Sequence, residues 1–170
     1  MSVSRFNAVE VAVDAILARL GQRIVLGTPL GIGKPNALLD ALYARAQRDP
    51  TLSLDIITAL SLNPPQGSSA LESRFLAPVI ERVWGDYPAM RWLSDFEAGQ
   101  LPDNVRVIEF YVPSGARLKH PRAQQDYISS NYTHVARGMV SRGVKLLVQA
   151  GAGGGDGGPP GDSHARTPAV

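Results

Sequence analysis

RIVLGTPLGIGKPNALLDALYARA, Arg23 to Ala46, followed by LSLDIITAL, Leu52 to Leu60, decides the fold. Arg23 to Gly27 is a short β-branched, apolar run and reads as a buried strand. The Gly/Pro-rich turn TPLGIGKP follows, with Pro35 placed as a helix N1 proline would be. Leu38, Leu39, Leu42, Tyr43 and Ala46 then recur at helical spacing, ending near Asp49-Pro50. Leu52 to Leu60 reads as the next strand. Strand, helix and strand within about 40 residues make a βαβ unit, which requires a parallel sheet and a right-handed crossover.

Toward the N-terminus, Val9, Ala12, Val13, Ile16, Leu17 and Leu20 define an amphipathic helix, with Asn7 as its cap and Gly21 as its stop. Toward the C-terminus, Asn63 to Ser69 is a loop. Leu71 to Trp84 reads as a helix with Leu71, Phe75, Val79, Ile80 and Val83 on one side and a bend at Pro78. A short helix over Arg91 to Ala98 and a strand over Val105 to Val112 follow. Ser114 to Arg122 is a loop, and Ala123 to Asp126 fits no single class. Ser130 to Thr133 supplies capping residues for a helix over Val135 to Ser141, and Val144 to Gln149 is a last strand. The expected fold is α/β: an open, mainly parallel sheet flanked by helices in three layers.

Gly and Pro divide the chain. Of 17 Gly and 13 Pro in 170 residues, 7 Gly and 3 Pro lie in residues 151–170. The expected organisation is one α/β domain over 1–150 and a disordered Gly/Pro-rich tail over 151–170. No Cys is present, which excludes disulfides, thiolate metal sites and a cysteine nucleophile. The net charge of +2 comes from interspersed signs. Nucleic acid is therefore not an expected partner. No apolar run is long enough for a membrane span, and no signal-peptide pattern opens the chain, so a cytoplasmic location is expected.

The turn Leu26 to Asn36 could carry chemistry. It leaves a strand and enters a helix, where open α/β sheets bind ligands. Gly27, Gly31 and Gly33 allow positive φ and close approach to the backbone. It is not a Walker A loop, because Thr28 and Pro35 stand where Gly and Ser/Thr are needed around Lys34. It is not a dinucleotide fingerprint from Gly31, because Asn36 replaces the last Gly. Two readings stay open: a tight turn that simply needs Gly, or a backbone cradle for an anion.

AQQDYISSNYTH, Ala123 to His134, is the second such stretch. It carries more hydrogen-bonding side chains than helix capping uses, which suggests a polar pocket or an interface. His134 is isolated from the other two His and reads as a structural hydrogen-bonder. No Gly-x-Ser-x-Gly elbow is present. Glu109, alternating with Ile108 and Phe110, reads first as solvent-facing and second as pointing into a cleft. No catalytic residue and no metal-ligand set is assigned.

These stretches, with RFLAPVIERVWGDYP (Arg74 to Pro88) and LPDNVRVIEFYVPSG (Leu101 to Gly115), resemble the N-terminal portion of the acetyl-CoA hydrolase/transferase family. The resemblance runs over about residues 5–149 and implies a CoA-transferase-like α/β domain. It implies acyl transfer from coenzyme A, a substrate rather than a bound cofactor, to a small carboxylate or water. A glutamate attacks the thioester in that chemistry. Gly31, Gly33, Pro35 and Asn36 match the family's turn beside the thioester carbonyl, implying an oxyanion or CoA-binding role. Ser129, Ser130, Asn131, Tyr132, Thr133 and His134 would line the same cleft. The family's catalytic glutamate has no counterpart here.

The expectation is thus a truncated, inactive first half. The alternatives are a non-catalytic CoA- or nucleotide-binding module, or one subunit of a heteromeric enzyme. Expected partners are an acyl-CoA, a carboxylate, and either a second copy or a separate catalytic half. The family-like sequence stops near Gln149, so residues 151–170 are expected to be an out-of-frame read.

Overall fold

In the computed structural model, residues 4–151 are described, together with the backbone of 164–166. The elements alternate as the sequence pattern requires. Helix α1 (Val9–Leu20) leads into β1 (Arg23–Gly27). A 3-10 turn (Gly31–Gly33) and α2 (Asn36–Arg48) connect to β2 (Ser53–Thr58). Helices α3 (Ala70–Val83) and α4 (Arg91–Glu97) precede β3 (Val105–Glu109). Helices α5 (Pro121–Asp126) and α6 (Tyr132–Ser141) precede β4 (Leu146–Gln149).

β3, β2, β1 and β4 are neighbours in that order, and all pairings among them are parallel. The fold is therefore α/β with an open parallel sheet. Of the expected tail, His164–Arg166 form β5, whose backbone pairs antiparallel with β4. Apart from Gly151, the rest of the tail lies outside the described residues.

Side chains alternate across the sheet, so each strand feeds two faces. Ile24, Leu26, Leu54, Ile56, Val105, Val107, Leu146 and Val148 point to the first face and meet α1, α2 and α4. Leu39, Leu42, Tyr43, Trp92 and Leu93 complete this core, each fully buried. Among the described residues the second face buries Val25, Ile57 and Ile108, with Ile128, Met139 and Val144 packed over them. It is thin because Asp55, Arg106 and Gly27 occupy the alternating positions. Arg106 is paired there with Asp126 at 2.5 Å. Gly27 lets α6 come close: an added Cβ would lie 2.7 Å from Leu147 Cδ2 and 3.2 Å from Met139 Sδ.

The boundaries shift where caps decide them. Ala8, not Asn7, is the residue before α1, without a side-chain cap bond. Pro35 stands one position before α2 rather than at its first residue. Ala123 to Asp126 is helical, opened by Pro121 and capped by His120, whose Nδ1 accepts from the Ala123 N–H at 3.0 Å. α3 runs continuously through Pro78 and is capped by Ser69. The strand expected to Val112 stops at Glu109, and the one expected from Val144 starts at Leu146.

Candidate functional site

The chain order β1, β2, β3 moves outward on one side of the sheet, and β4 returns to the other side of β1. The strand order reverses between β1 and β4, and in open α/β sheets the carboxyl edge at such a reversal is where ligands bind. The glycine turn follows β1 at this position. Its far end is tied to the strand across the reversal, since Ala150 N–H donates to Gly33 O at 2.9 Å.

The turn rests on a buried polar cluster. Thr28, Lys34, Asn36, Thr58, Ser61 and Glu109 are the buried polar or charged residues among the described ones, and all six lie at the carboxyl ends of β1, β2 and β3 or just beyond. Lys34 is 3% exposed. Its Nζ donates to Ala59 O at 2.8 Å and to Leu60 O at 3.4 Å. Burial lowers its pKa to about 8, and the Glu109 carboxylate partly offsets that. Leu60 holds a left-handed conformation, φ 45°, that non-glycine residues rarely take. This turns its carbonyl toward the glycine turn, where it also accepts the Gly31 N–H at 3.1 Å. Gly31 itself needs its freedom, with φ 60°.

Glu109 is not solvent-facing. It is 4% exposed, its Oε1 accepts from the Ser61 N–H at 3.2 Å, and its Oε2 lies 3.6 Å from Arg117 Nε. Glu109 shares the strand parity of the core-facing Val105 and Val107, and Arg117, from the following loop, lies against it. Arg117 also donates to Glu97 at 2.8 Å and stacks over Phe96 at 5.2 Å. Thr58 Oγ1 donates to Pro29 O at 3.2 Å, and Thr28 N–H to Ile57 O at 3.0 Å. Asn36 Nδ2 donates to Pro88 O at 2.8 Å. The loops after three strands are thus interlocked. Among the described residues, five of the seven buried side-chain polar atoms without a hydrogen-bond partner belong to this cluster with Arg117: Thr28 Oγ1, Asn36 Oδ1, Ser61 Oγ, Glu109 Oε2 and Arg117 Nε.

Of the turn residues singled out, Pro35 and Asn36 are buried, and Gly31 and Gly33 are half-buried. Ile32, between the two glycines, is 76% exposed. The polar block is placed at the N-terminus of α6. Ser129, Asn131, Tyr132, Thr133 and His134 are exposed, and Ser130 is half-buried. Asn131 takes the cap, its Oδ1 accepting from His134 N–H at 3.3 Å. The block is anchored to the end of β3: Ile128 N–H donates to Glu109 O at 3.1 Å, and Tyr132 meets Phe110 edge-on at 6.3 Å. Both stretches therefore lie at the carboxyl edge. One follows β1 and the other stands beside β3, with β2 between them, and no hydrogen bond joins them among the described residues.

Sequence reasoning missed Lys34, Thr28, Ser61 and Arg117 as members of one cluster. The available signal was a lysine inside an apolar turn and a glutamate inside a strand. Two concavities lie away from this edge. One of about 180 Å³ sits between the end of α1 and α2, and one of about 660 Å³ lies along α3. Among the described residues, no three His, Asp or Glu side chains converge as metal ligands. Among the described residues no helix is long and apolar enough to cross a membrane.

No family model, curated protein or solved structure matches the chain.

Proposed function

We propose that this chain binds the thioester end of an acyl-coenzyme A at the carboxyl edge of its sheet and supplies no nucleophile for acyl transfer. The observation that carries this reading is the position of Gly31 to Asn36 at the strand-order reversal, tied to the end of β2 by Lys34 on Ala59 O and Leu60 O and by Gly31 N–H on Leu60 O. A turn so braced presents its backbone in a fixed geometry, which suits a developing oxyanion better than a mobile one; Gly31 N–H is already given to Leu60 O and Asn36 N–H to Lys34 O, and Pro35 has none, so the N–H groups for a ligand come from the residues between Gly31 and Pro35. The buried cluster itself is closed, so a ligand meets the rim, with Ile32 on one side and Ser130 and Tyr132 on the other. Glu109 is no candidate nucleophile, because it is buried and committed to Ser61 and Arg117. In this reading a carboxylate acceptor and an attacking glutamate come from a separate catalytic half.

Calorimetric titration with acetyl-CoA, coenzyme A and ATP tests the reading. Saturable heat with acetyl-CoA and coenzyme A is expected, lost in Gly31→Val, whose backbone must stay at positive φ. Thioester cleavage, followed as free thiol, is expected at the uncatalysed rate. Absence of heat, or turnover well above the no-enzyme control, overturns it. Heat with ATP equal to that with coenzyme A would favour a general nucleotide module instead.

A further inference from the structure

α3 stands on the body rather than in it. None of its 14 residues is buried, and Leu76 and Ile80 alone are half-buried. The segment that carries it, residues 64–89, is stitched to itself. At the helix start Ser69 Oγ accepts from Glu72 N–H at 3.2 Å, and Ser73 Oγ donates to Ser69 O at 2.9 Å. Glu72 Oε2 accepts from Ser68 N–H at 2.7 Å and from Ser68 Oγ. Gly67 lies so close to the helix that an added Cβ would stand 2.4 Å from Ser73 N. At the helix end Tyr87 N–H donates to Trp84 O at 2.8 Å, and the two rings meet edge-on at 5.2 Å. Among the described residues, one hydrogen bond and no ion pair join this segment to the rest of the chain: Asn36 Nδ2 to Pro88 O at 2.8 Å.

The base of the segment is closed separately. Asn63 Oδ1 accepts from Met90 N–H at 2.8 Å, and its Nδ2 donates to Met90 O and to Ser94 Oγ, both at 3.1 Å. One side chain thus clamps the chain where it leaves toward α3 and where it returns to α4. Met90 is fully buried and belongs to the core, and no residue of 64–89 does. The core keeps its contacts whatever α3 does.

A helix of this length is marginal in water when packing does not support it. α3 is weaker still. Pro78 lies in its interior and has no N–H, so Arg74 O lacks its helical donor. We propose that residues 64–89 are an order–disorder element of the fold: α3 melts and refolds as one unit about the Asn63–Met90 base while the sheet, α2 and α4 stay folded. The element follows β2 at the carboxyl edge that carries the glycine turn, and it reaches the end of that turn through Asn36.

Amide hydrogen exchange of the full chain at pH 7, read by mass spectrometry, tests this. Peptides within 70–84 are expected to exchange within about tenfold of the unfolded-chain rate, and those of α2 at least ~1,000-fold slower than that rate. Pro78→Ala, at an exposed position, restores the missing donor. It is expected to slow exchange in α3 by about threefold or more, with α2 exchange and the melting temperature unchanged. Asn63→Ala is expected to spread fast exchange into α4 and not into α2. Protection of α3 within about tenfold of α2 in the wild-type chain, or a Pro78→Ala chain that protects α2 as much as α3, overturns the proposal. Unchanged exchange of α4 in Asn63→Ala overturns the placing of the hinge.

Discussion

Replacing Glu109 by Gln isolates the charge in the buried cluster. Glutamine keeps the shape and a carbonyl oxygen, so the Ser61 N–H retains its acceptor at 3.2 Å. Two cations lose their counter-charge: Lys34, 3% exposed, and Arg117, whose side chain is 11% exposed. Removing one partner of a buried ion pair costs about 3–5 kcal/mol, because the other charge is left desolvated. Arg117 keeps Glu97 at 2.8 Å, but that carboxylate is 46% exposed and screened by water. The net expectation is a loss of about 2–4 kcal/mol. For a domain of this size each kcal/mol moves the melting temperature by about 2–4 °C, so Glu109→Gln melts roughly 4–16 °C lower at pH 7. Thermal unfolding followed by far-UV circular dichroism reads this directly. The pH profile gives a second readout. Lys34 is charged below about 8, so the deficit should shrink as pH rises through that value and the lysine no longer needs a counter-charge. A variant melting within about 2 °C of wild type at pH 7 would refute the claim that the carboxylate compensates these cations.

Lys34 also links stability to pH in the wild-type chain. Its pKa falls from 10.5 unfolded to about 8 folded, so between these values the unfolded chain binds more protons and stability rises with pH. The Lys34 gain is at most about 1.4 kcal/mol per pH unit, absent below the folded value and complete above the unfolded one. Urea midpoints at pH 8 and 9.5 should rise in wild type and stay flatter in Lys34→Met; parallel profiles would sink the assignment. Tyr43, whose pKa is raised by burial and then by Asp95, acts in the opposite direction only above its unfolded value of 10.0. Asn104 Nδ2 donates to Ala46 O, Asp49 O and Leu52 O at 2.9, 3.3 and 2.7 Å, closing the end of α2 onto the start of β2. Asn104→Ala should lower stability by about 2–3 kcal/mol in urea titration, and a change of a few tenths would contradict it. Gly27→Val forces Leu147 and Met139 aside. It is expected to cost about 1–3 kcal/mol and to speed amide exchange in α6 before α2; unchanged α6 protection would count against the close approach.

The βαβ reading of Arg23 to Leu60 survives in the structure because periodicity is a local property. Leu38, Leu39, Leu42, Tyr43 and Ala46 share one helix face whatever surrounds them, and all five are buried. The glycine turn was legible for the same reason: Gly31 takes the positive φ that its residue type permits. The same logic misleads at α3. Leu71, Phe75, Val79 and Val83 carry the pattern of a core-facing helix, yet the sheet offers them nothing to pack against. Periodicity reports that a helix has an apolar side, and it does not report what covers that side.

From its own residues the chain determined most of the helices and strands, the parallel character of the sheet, the glycine turn at a strand end and the polar stretch before the last helix. Each follows from side-chain period, turn chemistry or charge within a short window. Only the tertiary structure decided that β4 returns beside β1, placing the glycine turn at the reversal. It also buried Glu109 among Lys34, Ser61 and Arg117. These residues are separated by up to 83 positions along the chain (Lys34 to Arg117), and no local pattern links them. A carboxylate in a strand reads as exposed until a cation from another loop closes over it, and that closure exists only once the strands have paired.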